Sequence, residues 1–534
     1  MRKHTIVFVL VLLATLLAGV LTFRQCGHAV YIDKYDAVDR PARIYPDYSS
    51  TVVPPSIAPL NFMVQEEGSR YFARIYSQKG EPIEVFSRSP KIFIPISRWH
   101  ALLDKNRGGE LHFDVFVGTD KGSWLRFDTI TNKIANEDID GYMVYRRLHP
   151  THVQTMGRIG IYQRNLRNFD EGLVLDNRHY RYEGGCVNCH AFCGNRPDKV
   201  SIGVRNPPEG NITLLIGPET VDKLGVKFGY TAWHPSGRLA VYVTTRILLF
   251  FHTAQDEVRD TIDLDSMLSY FVVDTKTVRT SPGIAKKERL ETWPAWSADG
   301  RYLYFCSAPM LWPDQIKDLP KEYDKVKYDL VRISYDVDKD KWGEVETVLS
   351  AQDTNLSIAM PRASPDGRWL MFCMFKYGQF PPWQPSSDLY IMDLKAAGET
   401  GRYEYRRLDI INSDQSESWH SWSSNSRWIA FSSKREHGVF TRSYISYVDE
   451  TGKVYKPLVL PQKDPEFYDY CPETFNTPEF VTGPIAVTGE RLARVVRSAA
   501  AVSVEMPITM ATPPKASALP SPEGGQYQQG REQR

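Results

Sequence analysis

Residues 296–305, WSADGRYLYF, decide the fold, because the same pattern of a tight turn followed by a strand occurs four times. Serine, aspartate and glycine are typical of a tight turn, and the aromatic and aliphatic residues after them are typical of a strand. The other copies are residues 233–242 (WHPSGRLAVY), 363–372 (ASPDGRWLMF) and 422–431 (WSSNSRWIAF). Their turn residues, Gly237, Gly300, Gly367 and Ser426, lie 63, 67 and 59 residues apart. Self-similarity at such a period indicates a repeat architecture.

A second strand that ends in an acidic turn follows each copy, at residues 270–274, 330–336, 389–393 and 444–449. A repeated multi-strand unit of this length is typical of a β-propeller blade enlarged by loops. Residues 200–204 and 212–216 indicate a worn earlier blade. We therefore expect an all-β fold with a propeller of five or six blades, and we expect residues around 475–487 to help close the ring.

Composition supports this fold class and excludes two classes of function. The chain has 534 residues, too many for one ordinary core. Its 65 Lys and Arg residues against 64 Asp and Glu residues give a net charge of +1, which argues against a general nucleic-acid binder. A mean hydropathy of -0.38 excludes a polytopic membrane protein. The 12 Trp and 29 Tyr residues favour strands.

The four copies resemble the blades of the TolB-like β-propeller family, which carry W-S-P-D-G-R-x-L-x-F followed by a second strand. The resemblance covers residues 200 to about 460. In the fourth copy Asn425 and Ser426 replace the aspartate and glycine, so we expect that turn to be degenerate.

The N-terminal residues indicate export. Residues 5–23 are uncharged and follow Arg2 and Lys3, and at about 1.5 Å per residue they match the ~30 Å core of a bilayer. An uncleaved anchor is favoured over a cleaved signal peptide, because no A-x-A-like site follows. The basic N-terminus would stay in the cytoplasm, which in a bacterium places the rest of the chain on the periplasmic side of the inner membrane.

One motif carries recognisable chemistry. Cys186, Cys189 and His190 form C-x-x-C-H, the attachment signature of c-type haem. The two thiols would form thioether bonds to one haem, and the imidazole of His190 would be the proximal iron ligand. For the sixth ligand we expect Met156 or His152, which lie in one stretch with His149; His179 lies close to the attachment site, and an open sixth site is also admissible.

Other roles for this motif stay open. A zinc site would need a second pair of ligands, and a thioredoxin-like pair would need a βαβ context. A disulfide from Cys193 to Cys26 or Cys471 would suit an exported protein, although it would not explain His190.

A second cluster surrounds His420 in the stretch SWHSW. Blade packing is the simpler interpretation. In the functional one, His420 lines the mouth of a propeller channel together with Glu417 and His234. We find no nucleophile elbow, nucleotide-binding loop or zinc-protease motif, so nothing in the sequence indicates a hydrolase.

These observations predict five regions. Residues 1–25 form a membrane anchor or signal segment, 26–60 a linker, 61–180 a β-sandwich-like domain, 181–490 the haem-attachment segment and propeller, and 491–534 a disordered tail.

Residues 182–190 (YEGGCVNCH), the blade repeats after them and residues 456–470 (KPLVLPQKDPEFYDY) together form a recognisable pattern. This pattern resembles bacterial membrane-anchored TolB-like proteins with one haem-attachment motif, some of which are labelled cytochrome c biogenesis proteins. The resemblance implies one haem c and a role in electron transfer or redox-linked interaction with an envelope protein. The alternative is a propeller that binds an envelope protein or polymer, with a structural cysteine motif.

Overall fold

The computed structural model describes residues 32–150, 158–179, 185–206, 210–252, 259–498 and 500–502. Most regular structure in these segments is β-strand, which confirms the all-β class. The α-helices found there are α1 (Ile96–Lys105), α2 (Ala351–Thr354), α3 (Leu394–Thr400), α4 (Phe467–Tyr470) and α5 (Gly489–Ser498). None of these helices is long and apolar enough to span a bilayer, and residues 5–23 lie outside the described segments.

Two sheets and α1 form the N-terminal region. The larger sheet contains β1 (Asp36–Pro41), β3 (Val52–Val53), β5 (Arg70–Tyr76), β6 (Ile83–Ser87), β8 (Glu110–Gly118), β9 (Trp124–Asp128) and β10 (Ile130–Ile134). The smaller sheet contains β2 (Ile44–Tyr45), β4 (Phe62–Val64) and β7 (Lys91–Ile92). Phe62 of the smaller sheet stacks on Phe113 of the larger one at 5.8 Å, and Trp99 of α1 packs on the same ring. The inner faces of both sheets therefore share one core with α1.

The remaining strands form six four-stranded sheets, called blades 1 to 6, whose strands run in order from the innermost strand outward. Blade 1 contains β34 (Thr474–Val481), β11 (Tyr142–Leu148), β12 (Ile159–Asn165) and β13 (Glu171–Asp176). Blade 2 contains β14 (Cys186–Phe192), β15 (Val200–Asn206), β16 (Gly210–Ile216) and β17 (Val221–Leu224). Blade 3 contains β18 (Gly229–Trp233), β19 (Leu239–Phe251), β20 (Arg259–Val272) and β21 (Thr277–Arg279).

Blades 4 to 6 carry three of the four sequence repeats. Blade 4 contains β22 (Arg289–Trp296), β23 (Tyr302–Pro309), β24 (Asp329–Asp336) and β25 (Lys341–Leu349). Blade 5 contains β26 (Ser357–Ala363), β27 (Trp369–Phe375), β28 (Asp388–Asp393) and β29 (Tyr405–Arg407). Blade 6 contains β30 (Glu417–Trp422), β31 (Trp428–Ser433), β32 (Arg442–Tyr447) and β33 (Leu458–Val459).

The innermost strands close a ring. The innermost strand of each blade contacts the innermost strand of the next one, in the order β34, β14, β18, β22, β26 and β30. The strand β30 of blade 6 then contacts β34 of blade 1, which completes the circle. Blade 1 joins the C-terminal strand β34 to three strands from before the first repeat, with Val481 opposite Tyr142 and Thr474 opposite Leu148. The fold is therefore β-propeller-like with six blades, and the C-terminal segment closes the ring as expected.

The turn of each repeat joins the two inner strands of its blade. In the second copy Ser297 accepts the backbone N–H of Gly300, and Gly300 has a φ of +72°. The fourth copy keeps this turn, contrary to expectation, because Ser426 also takes a left-handed conformation at +61°. Asn425 Oδ1 accepts the backbone N–H of Arg427, as an aspartate would.

Three predicted boundaries differ from the structure. Residues 142–176 belong to blade 1 instead of the N-terminal domain, because β11 pairs with β34. The proposed linker 26–60 includes a buried part, and its strands β2 and β3 join the N-terminal sheets. The proposed tail begins inside α5, whose Leu492, Ala493 and Val496 are buried in the core cluster of blades 1 and 2.

Candidate functional site

The C-x-x-C-H motif lies on β14, the innermost strand of blade 2, so it is part of the ring instead of a segment before it. The innermost strand of every blade has a bulge, at which one extra residue interrupts the pairing with the next strand. In β14 the pairing shifts between Asn188 and His190, so that Cys189 is the extra residue. Aligned with Cys189 are Tyr230, Trp293, Met360, Trp419 and Thr477.

These five aligned residues have φ values between +38° and +55°, a conformation that residues other than glycine seldom adopt. Such a conformation costs about 1–3 kcal/mol per residue and persists only where the surroundings impose it. These residues and several of their neighbours line one cavity between the innermost strands. The bulges therefore lie around one cavity on the axis of the ring.

The axial cavity has a volume of about 30 Å³, room for about two water molecules. It combines aromatic rings with charged and polar groups. Its lining residues are His190, Tyr230, Thr231, Trp293, Met360, Arg362, Trp419, His420, Thr477, Pro478 and Glu479.

His190 faces Glu479 across this cavity, with its Nε2 3.5 Å from the carboxylate Oε2. Burial lowers the pKa of His190 to about 4 and raises the pKa of Glu479 to about 7. A neutral imidazole therefore faces the carboxyl at neutral pH, and the contact is not an ion pair. Neither ring nitrogen of His190 has a hydrogen-bond partner among the described residues.

Cys186 lies at the start of β14, in different surroundings from His190. Its side chain is buried against Leu148 and Ile159, the residues that end β11 and begin β12. The guanidinium of Arg146 lies 3.5 Å from its Sγ. The motif therefore places one thiol against blade 1 and its imidazole on the axis.

The structure describes the other predicted ligands only in part. His152 and Met156 fall in residues 151–157, which lie outside the described segments. The side chains of Cys189 and His179 also lie outside them, although Cys189 belongs to β14. His149 is exposed.

Of the second predicted cluster, only His420 lines the cavity. It is 3% exposed, burial lowers its pKa to about 3, and its Nδ1 lies 3.9 Å from Cys373 Sγ. Glu417 instead accepts hydrogen bonds from Ser413 and Ser433. The predicted grouping is wrong for His234, whose ring packs between blades 3 and 4 with Nε2 3.1 Å from the carbonyl of Gly300.

The described segments also bear on the alternatives to haem. Cys193 and Cys471 are both free and buried, which contradicts a disulfide between them. No group of three or more His, Cys, Asp or Glu side chains within these segments is arranged to hold a metal ion. Cys26 lies outside the described residues.

Sequence reasoning missed Arg362, Glu479 and the aligned bulge residues. The sequence does contain a pattern that locates the bulges. In each repeat the bulge residue precedes the first residue of the repeat by three positions, as Trp293 precedes Trp296. The same offset links Cys189 to Phe192 and would have aligned the motif with the repeats. Glu479 lies outside any recognised repeat.

Neither a known family model nor a curated protein matches the sequence. Among solved structures, the chain is similar to an oligogalacturonate lyase in complex with manganese, with 12% identity and a TM-score of 0.31 over 72% of this chain and 99% of that one. It is also similar to prolyl oligopeptidase B from Galerina marginata, with 13% identity and a TM-score of 0.32 over 76% of this chain and 54% of that one. A third similar structure is a six-bladed lectin from Aleuria aurantia, with 10% identity and a TM-score of 0.31 over 66% of this chain and 92% of that one. The fold assignment rests on the strand pairing, not on these similarities.

Proposed function

We propose that the protein is an exported, membrane-anchored mono-haem c-type protein that acts in electron transfer or redox-linked interaction in the cell envelope. Cys186 and Cys189 would hold the haem through thioether bonds, and His190 would bind the iron. The observation that supports the proposal is the state of His190: it is 7% exposed, and its ring nitrogens make no hydrogen bond within the described residues, although Nε2 lies 3.5 Å from Glu479. A buried imidazole that makes no hydrogen bond is costly, and binding a metal ion would satisfy one of its nitrogens.

The donor atoms suit this group. Cys186 is a free thiol, and burial keeps His190 neutral, the form that binds a metal. A c-type haem supplies one-electron redox chemistry at its iron. Arg146 would place a positive charge within a few ångströms of the Cys186 sulfur that would hold the haem.

The available space sets a condition on this proposal. Sites for drug-sized ligands occupy about 300–1,000 Å³, whereas the axial cavity has about 30 Å³. A porphyrin does not fit in that cavity, so a covalently attached haem would require a different arrangement of the start of β14 and its surroundings. His152 or Met156 remains the proposed sixth ligand.

Haem staining after denaturing electrophoresis tests the proposal on the full chain, expressed in cells that attach c-type haem. The wild-type band should stain, because thioether bonds survive boiling in detergent. Cys186→Ala should lose most of the stain, whereas Cys471→Ala, a buried free cysteine outside the motif, should keep it. His190→Ala should alter the absorption spectrum of any haem that remains.

An unstained wild-type band would refute the haem proposal and favour the propeller as an interaction module for an envelope protein or polymer. In that case Cys186→Ala would leave partner binding unchanged.

A further inference from the structure

The outer face of the larger N-terminal sheet carries aromatic rings where a solvent-facing sheet normally carries polar side chains. Side chains alternate along β5 and β8, and the inward set, including Tyr71 and Val115, belongs to the shared core. The outward set includes Arg70 on β5 and Phe116 on β8. We define the aromatic face as Tyr35, Phe86, Phe116, Trp124, Arg70 and Arg126.

The rings of this face contact one another. Phe116 lies at its centre, 5.7 Å from the ring of Tyr35, and Phe86 lies 6.5 Å from Trp124. Only 8% of Phe116 is exposed, because its neighbours cover it. Tyr35 and Phe86 are each 42% exposed, which leaves apolar rings on the surface.

The two arginines extend over these rings. The guanidinium of Arg70 lies 5.0 Å from the ring centroid of Trp124, and that of Arg126 lies 5.4 Å from Tyr35. Arg126 also donates a hydrogen bond to the hydroxyl of Tyr35. Such side chains cover apolar surface with their stems. Arg126 also lies 3.6 Å from the carboxylate of Asp114, so Arg70 is the arginine whose charge is available to an anionic oxygen.

The position of Tyr35 links this face to the N-terminal segment. Tyr35 comes twelve residues after Phe23, the last residue of the uncharged run. Twelve extended residues span at most about 40 Å. A chain anchored through residues 5–23 therefore keeps the aromatic face within that distance of the bilayer.

We propose that the aromatic face rests on the headgroup region of a phospholipid bilayer. Tyr and Trp are enriched at that depth because they combine an apolar ring with a polar tip. Lipid phosphates would accept hydrogen bonds from Arg70, and the exposed ring of Phe86 would enter the acyl boundary. This inference uses the proposed anchor and does not depend on the haem.

Photo-crosslinking of the full chain in vesicles of mixed phosphatidylcholine and phosphatidylglycerol tests this docking surface. The photoreactive residue p-benzoylphenylalanine replaces Phe86 in one protein and Ile410, which is 53% exposed in the loop after β29, in the matched control. We expect about tenfold more lipid adduct at position 86, as a preference of ~1.4 kcal/mol for the bilayer would give. Adding Arg70→Ser should reduce that yield, whereas Arg301→Ser, on a blade turn, should not.

Equal lipid adduct at positions 86 and 410 would overturn the proposal. Adducts from position 86 to a second copy of the chain would also overturn it and would identify the face as a self-association surface. Haem staining of the same samples separates these outcomes from the fate of the haem proposal.

Discussion

Asp263 makes the stability of the propeller depend on pH. It lies on β20, 1% exposed, where it accepts a hydrogen bond from Thr245 Oγ1 at 2.8 Å. Its second oxygen, Oδ2, has no partner among the described residues. Burial raises the pKa of Asp263 from an ordinary 3.8 to about 7, and the charge of Asp265 adds to the shift. Between pH 3.8 and pH 7 the folded protein therefore keeps a proton on Asp263 that the unfolded chain releases.

The sign and size of the effect follow from this difference in proton binding. Between pH 3.8 and 7 the folded state binds more protons than the unfolded state, so the free energy of unfolding falls as the pH rises. The stability from this proton is complete below pH 3.8 and is lost as the pH passes 7. Between pH 4.5 and pH 8 the loss from Asp263 is about 3 kcal/mol. Asp263→Asn cannot release a proton and removes this contribution.

Urea denaturation of both proteins at pH 4.5 and pH 8 measures the effect. The free energy of unfolding of Asp263→Asn, relative to wild type, should be about 3 kcal/mol more favourable at pH 8 than at pH 4.5. Asp338→Asn, at a side chain that is 85% exposed, should change stability by about 0.5 kcal/mol or less at either pH. A difference between Asp263→Asn and wild type that is the same at both pH values would refute the reasoning.

Two further substitutions test the ring and its turns. Phe475→Ala on β34 should destabilise the protein by about 3–5 kcal/mol in urea denaturation, because this fully buried ring packs where blade 1 closes, while Ile410→Ala should stay within about 0.5 kcal/mol. In thermal unfolding, Gly300→Ala should lower the melting temperature more than Gly401→Ala does. Both glycines have a φ near +70°, so the backbone strain is similar. An added Cβ at Gly300 would lie 2.3 Å from His234 Nε2, whereas one at Gly401 would meet open space. Equal losses for the two glycine variants would contradict the reasoning for Gly300.

The repeats could be predicted from the sequence because their information is local. Each copy joins its own turn and strand within ten residues, and Ser297 and Gly300 form the hydrogen bond that closes the turn. Blade 1 could not be predicted in this way. Its strands β11 and β34 are separated by more than 300 residues, and no repeat motif marks residues 142–176. Their pairing depends on closure of the whole ring.

The same distinction between local and distant information applies to the candidate site: its motif could be predicted, and its contact across the ring could not. C-x-x-C-H is a local motif, so Cys186 and His190 could be identified from spacing alone. Glu479 could not be connected to His190, because that contact exists only where β34 lies beside β14. The disulfide between Cys193 and Cys471 failed as an alternative because spacing in sequence does not determine the distance between two thiols.

The late position of β34 in the chain also sets an order of events during synthesis. His190 leaves the ribosome 289 residues before Glu479, which later faces it across the axis. Until β34 arrives, the blade 1 side of β14 has no neighbouring inner strand, and the ring of blades stays open. Because β34 is the last strand of the described chain, the ring closes only after every other blade strand has been synthesised.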